Sequence, residues 1–220
     1  MKTNFTKTAS FLVAAILCCT SCASSYHAVH PQSINYGAKV ESNDIVLQYK
    51  YDVLAEAGNK KYAKKEKQHF VQVVAVKITN NSDHVIDATN DLKFFAGQNQ
   101  FAPIAPELAQ RQLKQGVPIY LLYLLFTPMQ LTTTTGGLNG VSPETNTFPL
   151  GVILGPGLTL FNVVRASSAN KLLLRDLQSY NIANRQLMPG ETLYGLVTIS
   201  NSGYNPITIQ AGEEVAETGE

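Results

Sequence analysis

The chain has no tryptophan, only three cysteines, and no excess of charge of either sign. Its 17 Lys and Arg face 16 Asp and Glu, so it lacks the basic footprint that nucleic-acid binding needs. All three cysteines, Cys18, Cys19 and Cys22, fall within five consecutive positions. No later cysteine exists to build a disulfide framework, a thiolate zinc site or a thiol nucleophile. A Gly-x-Ser-x-Gly elbow, a His-Glu-x-x-His pair, a Walker-type loop and a dinucleotide fingerprint are also missing. The glycine-rich run from Gly136 to Gly140 has no Lys-Ser/Thr after it and opens no helix, so it offers no phosphate cradle. Ten tyrosines without a tryptophan favour a β-rich protein over a stacked sugar-binding cleft.

What the N-terminus does contain is a short basic region with Lys2 and Lys7, an apolar run from Phe11 to Cys19, and small residues Thr20 and Ser21 before Cys22. The apolar run is too short for a spanning helix. The stretch resembles a bacterial lipoprotein signal, with residues 1–21 removed and Cys22 acylated on sulfur and amine. That resemblance implies an anchor in a membrane through N-terminal lipid. Ala23 and Ser24 follow the cysteine in place of an aspartate, and the first acid is Glu41. By the common sorting rule this implies an outer-membrane protein facing the periplasm. Cys18 and Cys19 then serve only as small apolar residues of the signal.

Residues 22–40 are polar and aperiodic and read as a tether. His27 and His30 lie in it, and no metal site is expected from two histidines in a leash. Alternation from Asp44 to Ala55 predicts a half-buried strand, and the Val-rich run from His69 to Thr79 predicts a central one. Between them, Gly58-Asn59 and the lysines Lys60, Lys61, Lys64, Lys65 and Lys67 read as a basic loop. Its bland reading is a solvated loop that discourages edge pairing; its functional reading is contact with an anionic surface. Asp91 to Gly97, Thr192 to Ser200 after the Met188-Pro-Gly-Glu191 turn, and Pro206 to Gln210 predict further strands.

The runs Val73-Val-Ala-Val-Lys-Ile-Thr-Asn-Asn-Ser-Asp-His-Val-Ile86 and Met188-Pro-Gly-Glu-Thr-Leu-Tyr-Gly-Leu-Val-Thr-Ile-Ser200 resemble the immunoglobulin-like, telokin-like modules of bacterial lipoproteins. The resemblance implies a mainly β fold with an α insertion (α+β). Residues 41–97 and 188–212 would form a β-sandwich, 98–187 a helical apolar insertion and 213–220 an acidic tail. Such modules share no catalytic site, and what they imply is binding, spacing or assembly.

The insertion departs from that pattern. Ala105 to Gly116 reads as a helix with Pro106 near its start. Val117 to Leu131, which includes Tyr120 and Tyr123, and Phe148 to Val164 are nearly continuous apolar runs; Arg165 to Tyr180 reads as a separate amphipathic helix. Each apolar run contains proline and is short of the length needed to span a bilayer. Gly151 and Gly155 have the spacing that lets helices approach closely. Three placements follow: helices buried on the sandwich, a hairpin dipping into lipid, or an interface with a partner or second copy. His69, and Asp83-His84, are the only histidine settings that suggest acid–base chemistry, and neither has a visible partner set. The expected function is therefore non-catalytic and without a cofactor: a lipid-anchored envelope protein that binds an envelope protein or wall component, or a membrane-active or oligomeric subunit. The oligomeric state is not legible in the sequence.

Overall fold

The structure is a computed structural model that describes residues 22–135, 144–200 and 203–211. The predicted signal 1–21 with Cys18 and Cys19, the glycine run 136–140 and the acidic tail 213–220 lie outside the described residues. In chain order the elements are strands β1 (Ala38–Ser42) and β2 (Ile45–Lys50), helices α1 (Val53–Glu56) and α2 (Lys60–His69), and strands β3 (Val71–Asn80), β4 (Ile86–Asp87), β5 (Leu92–Ala96) and β6 (Asn99–Phe101). Helix α3 (Pro106–Leu113), a 3₁₀ helix (Pro118–Phe126), the hairpin of β7 (Leu131–Thr135) and β8 (Glu144–Phe148), and the long helix α4 (Leu150–Ser179) follow. Strands β9 (Gln186–Leu187), β10 (Thr192–Ser200) and β11 (Ile207–Ala211) complete the order. Among the described residues every strand pair is antiparallel, and the class is α+β. The chain divides into two compact units: residues up to Ser25 with Gln115–Ala169, and Tyr26–Lys114 with the chain from Asn170 onward.

The second unit holds the sheets β1-β2-β3-β10 and β11-β5-β6. Val-rich β3 lies between β2 and β10, as its apolar run predicts for a central strand. Ile45, Leu47, Val74, Val76, Val197 and Ile199 of the first sheet and Leu92, Phe94, Ile207 and Ile209 of the second belong to one buried cluster. Pro189 and Gly190 occupy the centre of the turn before β10. Gly190 has φ 79°, and Glu191 N–H closes the turn onto Met188 O at 3.0 Å. Gly195 is needed for a different reason: a Cβ there would meet the Ile182 side chain and Tyr180 O, and Leu196 N–H bonds Tyr180 O at 2.8 Å.

The two motifs quoted for the resemblance meet through Asn80. Its backbone N–H donates to Glu191 O at 3.0 Å, and its carbonyl accepts from Gly190 N–H at 2.7 Å. Its buried side-chain amide donates to His84 O at 2.8 Å and Leu187 O at 3.0 Å, while its Oδ1 accepts from Ser82 N–H at 2.9 Å. Asn80→Ala strands these partners and is expected to cost about 2–4 kcal/mol, from roughly 0.5–1.5 kcal/mol for each hydrogen bond lost. Urea denaturation of the purified chain checks this through a lowered midpoint at unchanged slope.

Three expectations change. The strand from Asp44 ends at Lys50, because Asp52 takes φ 58° and turns the chain into α1. The basic loop is the helix α2 instead. Its Lys, Ala, Glu and Gln content favours a helix, and Tyr62, Ala63 and Glu66 bury one face before Phe70 ends it at φ 54°. Lys60, Lys64 and Lys67 are exposed, and Lys61 and Lys65 half-buried. The tether is packed as well. Within the second unit, Tyr26 sits edge-on to Tyr62 with centroids 5.6 Å apart. His27 exchanges hydrogen bonds with the Asn59 side chain at 2.8 and 2.7 Å, and Val29 N–H donates to Asp176 Oδ2 at 3.1 Å.

Candidate lipid-facing surface

The first unit reverses the usual arrangement of polar and apolar residues. A 3₁₀ helix has three residues per turn, so Tyr120, Tyr123 and Phe126 share a face. Tyr120 and Tyr123 are only 3% and 6% exposed. Ile119, Leu121, Leu122, Leu124 and Leu125 are on the outside, with Leu125 74% exposed. The phenol-bearing residues are therefore packed and the aliphatic ones face outward.

Helix α4 does the same in its first half. Gly151, Gly155, Thr159, Asn162, Ala166 and Ala169 recur every three or four residues and are all buried. Val152, Ile153, Leu160, Phe161 and Val164 are exposed. Two buried polar side chains bond back to the helix: Thr159 Oγ1 donates to Gly155 O at 2.8 Å, and Asn162 Nδ2 to Leu158 O at 2.8 Å. Pro156 lies inside α4 on the exposed side. From Arg165 the polarity reverts to the ordinary one, with Leu173 and Leu177 buried and Lys171 and Arg175 exposed. Arg165 stacks over the Phe161 ring, 5.6 Å from its centroid, at this changeover. The two predicted segments, Phe148 to Val164 and Arg165 to Tyr180, thus form one continuous helix of two polarities.

The predicted packing residues come together here. A Cβ on Gly151 would overlap the backbone carbonyls of Phe126 and Thr127, and one on Gly155 would lie 2.6 Å from Thr127 Oγ1. Gly151 N–H also donates to Met129 O at 2.8 Å. Only glycine lets α4 approach the end of the 3₁₀ helix this closely. Within this unit the small and polar residues are buried, Leu121, Leu122, Leu125, Ile153 and Leu160 are exposed, and Val117, Phe126, Leu158 and Val163 are partly buried against the tyrosines and Ala166. Leaving a Leu, Ile or Phe in water forgoes about 1.5–3 kcal/mol relative to burying it fully. A soluble amphipathic helix has the opposite arrangement.

The hydropathy of α4 reaches 1.4 over its most apolar 18 residues, of which 28% are buried. Its apolar part, Leu150 to Val164, is only about 22 Å long at 1.5 Å per residue, against a hydrocarbon core of roughly 30 Å. Cys22, half-buried, belongs to the same unit, with its Sγ 4.0 Å from Tyr123 Oη.

Other candidates gather less. His84 Nδ1 and Asp83 Oδ1 are 3.2 Å apart, closer than sequence neighbours usually come, but both side chains are well exposed. A pocket of about 280 Å³ in the second unit is lined by Asp52, Glu66, Lys67, Phe70, Gln72 and Tyr204. Burial pushes the Glu66 carboxyl up to about 7 even though it accepts from Val73 N–H at 2.7 Å. Its ionisation therefore costs nothing below the ordinary value of 4.5 and its full cost is reached above about 7, so stability falls across that window. Glu66→Gln is expected to leave the melting temperature unchanged at pH 4 and to raise it at pH 8, where the gain in stability is about 3 kcal/mol at most. Thermal melts of both proteins across this range check the sign. The sequence reading missed this pocket, whose signal was an acid on the apolar face of a helix. Among the described residues no group of three or more His, Cys, Asp or Glu is placed to hold a metal ion.

No protein family, curated protein or solved structure matches this chain.

Proposed function

We propose that the protein is a non-catalytic, lipid-anchored component of the bacterial envelope, in the outer membrane facing the periplasm, whose apolar insertion contacts lipid. The reversed polarity of the 3₁₀ helix and the first half of α4 carries this reading. Large aliphatic side chains pointing outward from a glycine-, tyrosine- and asparagine-lined interior are favourable in hydrocarbon and costly in water. Cys22 in the same unit, and Arg165 where the helix changes polarity, fit an apolar segment that ends at a headgroup region.

The second unit is read as an immunoglobulin-like sandwich, supported by a four-stranded and a three-stranded sheet sharing one core. Its role is to present a binding surface to an envelope protein or wall component. A cleft of about 440 Å³ beside the edge strand β6, lined by Leu92, Phe94, Phe101, Pro103, Ile104 and Ile182, is the surface that favours a partner. The lysines of α2 form a basic helix suited to an anionic surface.

The test uses the chain from residue 22 with Cys22→Ser, which carries no acyl group, mixed with vesicles of phosphatidylethanolamine and phosphatidylglycerol. The protein is expected to float with the vesicles, because the insertion binds lipid by itself. Recovery entirely in the soluble fraction overturns the lipid-contact reading.

A further inference from the structure

The residues after Cys22 are held by side chains of the apolar unit itself. Ala23 N–H donates to Asn162 Oδ1 at 2.6 Å. Ser24 donates its N–H to Gln115 Oε1 at 3.1 Å and accepts from Gln115 Nε2 at 2.8 Å. Asn162 and Gln115 are buried, 0% and 4% exposed. Asn162 is a polar residue within the apolar run of α4, and its amide is divided between Leu158 O and the backbone of Ala23. The Ala23 methyl packs with Tyr120, Tyr123 and Ala166. These contacts fix the direction in which the chain leaves Cys22, and they place its sulfur beside the 3₁₀ helix whose leucines face outward.

A flexible leash of the predicted tether length would let the domain wander about 25 Å from its lipid. The observed arrangement has no slack of that kind at Cys22. From this placement we infer that Asn162 and Gln115 form a seat for the mature N-terminus, which directs the acyl chains on Cys22 along the outward leucines of the 3₁₀ helix. Acyl chains and apolar helices then enter one leaflet at one place as a composite anchor. The inference rests on the lipid-anchor reading above and adds which residues position the lipid and which surface it lies against. The gain is one of effective concentration. Acyl chains on both sulfur and amine already anchor the chain; an apolar element held at contact distance adds a further lipid contact at the same place, so that the insertion meets the leaflet where the acyl chains enter.

The test uses the full chain, produced in cells supplied with a fatty acid bearing a diazirine near its end. Membranes are irradiated, and acyl–peptide adducts are mapped by mass spectrometry. Intramolecular adducts are expected in peptides covering residues 117–131 and 150–165, at about tenfold or more over peptides from 26–114. In Asn162→Ala or Gln115→Ala, with acylation verified by intact mass, that preference is expected to fall several-fold. Having both variants keeps the test usable if one of them folds poorly. Adducts spread evenly over the chain, adducts to bulk lipid alone, or a preference unchanged in both variants would each overturn the seat. A mature chain carrying no acyl label at all overturns the anchor reading, and the seat with it. That outcome is separate from the vesicle result, which concerns the unacylated protein.

Discussion

Replacing Leu125 and Leu160 together with glutamate is expected to leave the protein folded and to remove it from lipid. Both side chains are largely exposed, 74% and 66%, so neither supports the core. Surface substitutions of this kind usually shift stability by no more than about 0.5 kcal/mol, and the melting temperature in detergent should barely move. Lipid binding behaves differently. Two large aliphatic groups that enter hydrocarbon contribute about 1.5–3 kcal/mol each, and a carboxylate in their place adds a desolvation cost. A loss of at least about 3 kcal/mol weakens vesicle binding more than 100-fold. Vesicle titration of the unacylated chain measures this. Unchanged affinity would mean that these leucines do not face lipid. A protein that melts many degrees lower would mean that they belong to a core.

The second large effect concerns the interior of the same unit, and it has the opposite signature. Gly151→Ala should unfold or loosen the insertion while leaving its outward face chemically unchanged. The added methyl would overlap the carbonyls of Phe126 and Thr127, which are backbone atoms and cannot rotate away. Overpacking of this kind costs about 1–3 kcal/mol, and more where backbone must shift. Gly155→Ala should cost less, because its closest contact is the Thr127 hydroxyl, part of a side chain that can turn. Gly157→Ala is the control. Its Cβ would meet nothing within 4 Å, and alanine in place of glycine in a helix interior gains roughly 1 kcal/mol. Limited proteolysis within residues 115–169 is expected to rank the variants with Gly151→Ala cut fastest and Gly157→Ala slowest. Equal rates would show that the close approach of α4 to residues 126–129 contributes nothing to stability.

The β strands were legible because their signals are local. The Val run of β3 and the Pro-Gly turn before β10 read directly, and the Asn80 side chain gives a physical reason for the Thr-Asn-Asn turn motif. The helix α2 was missed because Gly58-Asn59 before a lysine run suggests a turn, although Tyr62, Ala63 and Glu66 already had the spacing of a helix face. The packed tether left no local trace. Its order comes from Asn59, Gln115, Asn162 and Asp176, residues far away in sequence whose partners only folding reveals. In the insertion, apolar composition showed that something unusual was present, but composition cannot say which side of a helix faces inward. The usable signal was the period of the exceptions: Tyr120 and Tyr123 three apart, then Gly151, Gly155, Thr159, Asn162 and Ala166 at helical spacing. Small and polar residues marked the buried stripe, and the leucines were the surface.

The central claim is that this surface lies in lipid, and depth-dependent quenching tests it most directly. In the Cys22→Ser background, which lacks any other cysteine after the signal, single cysteines at Leu125, Ile153 and Arg175 accept a bimane label. With vesicles containing lipids brominated along the acyl chain, strong quenching is predicted at 125 and 153 and none at 175. Bimane at 125 and 153 that stays unquenched by brominated lipid, and open to a water-soluble quencher in the presence of vesicles, would contradict the account.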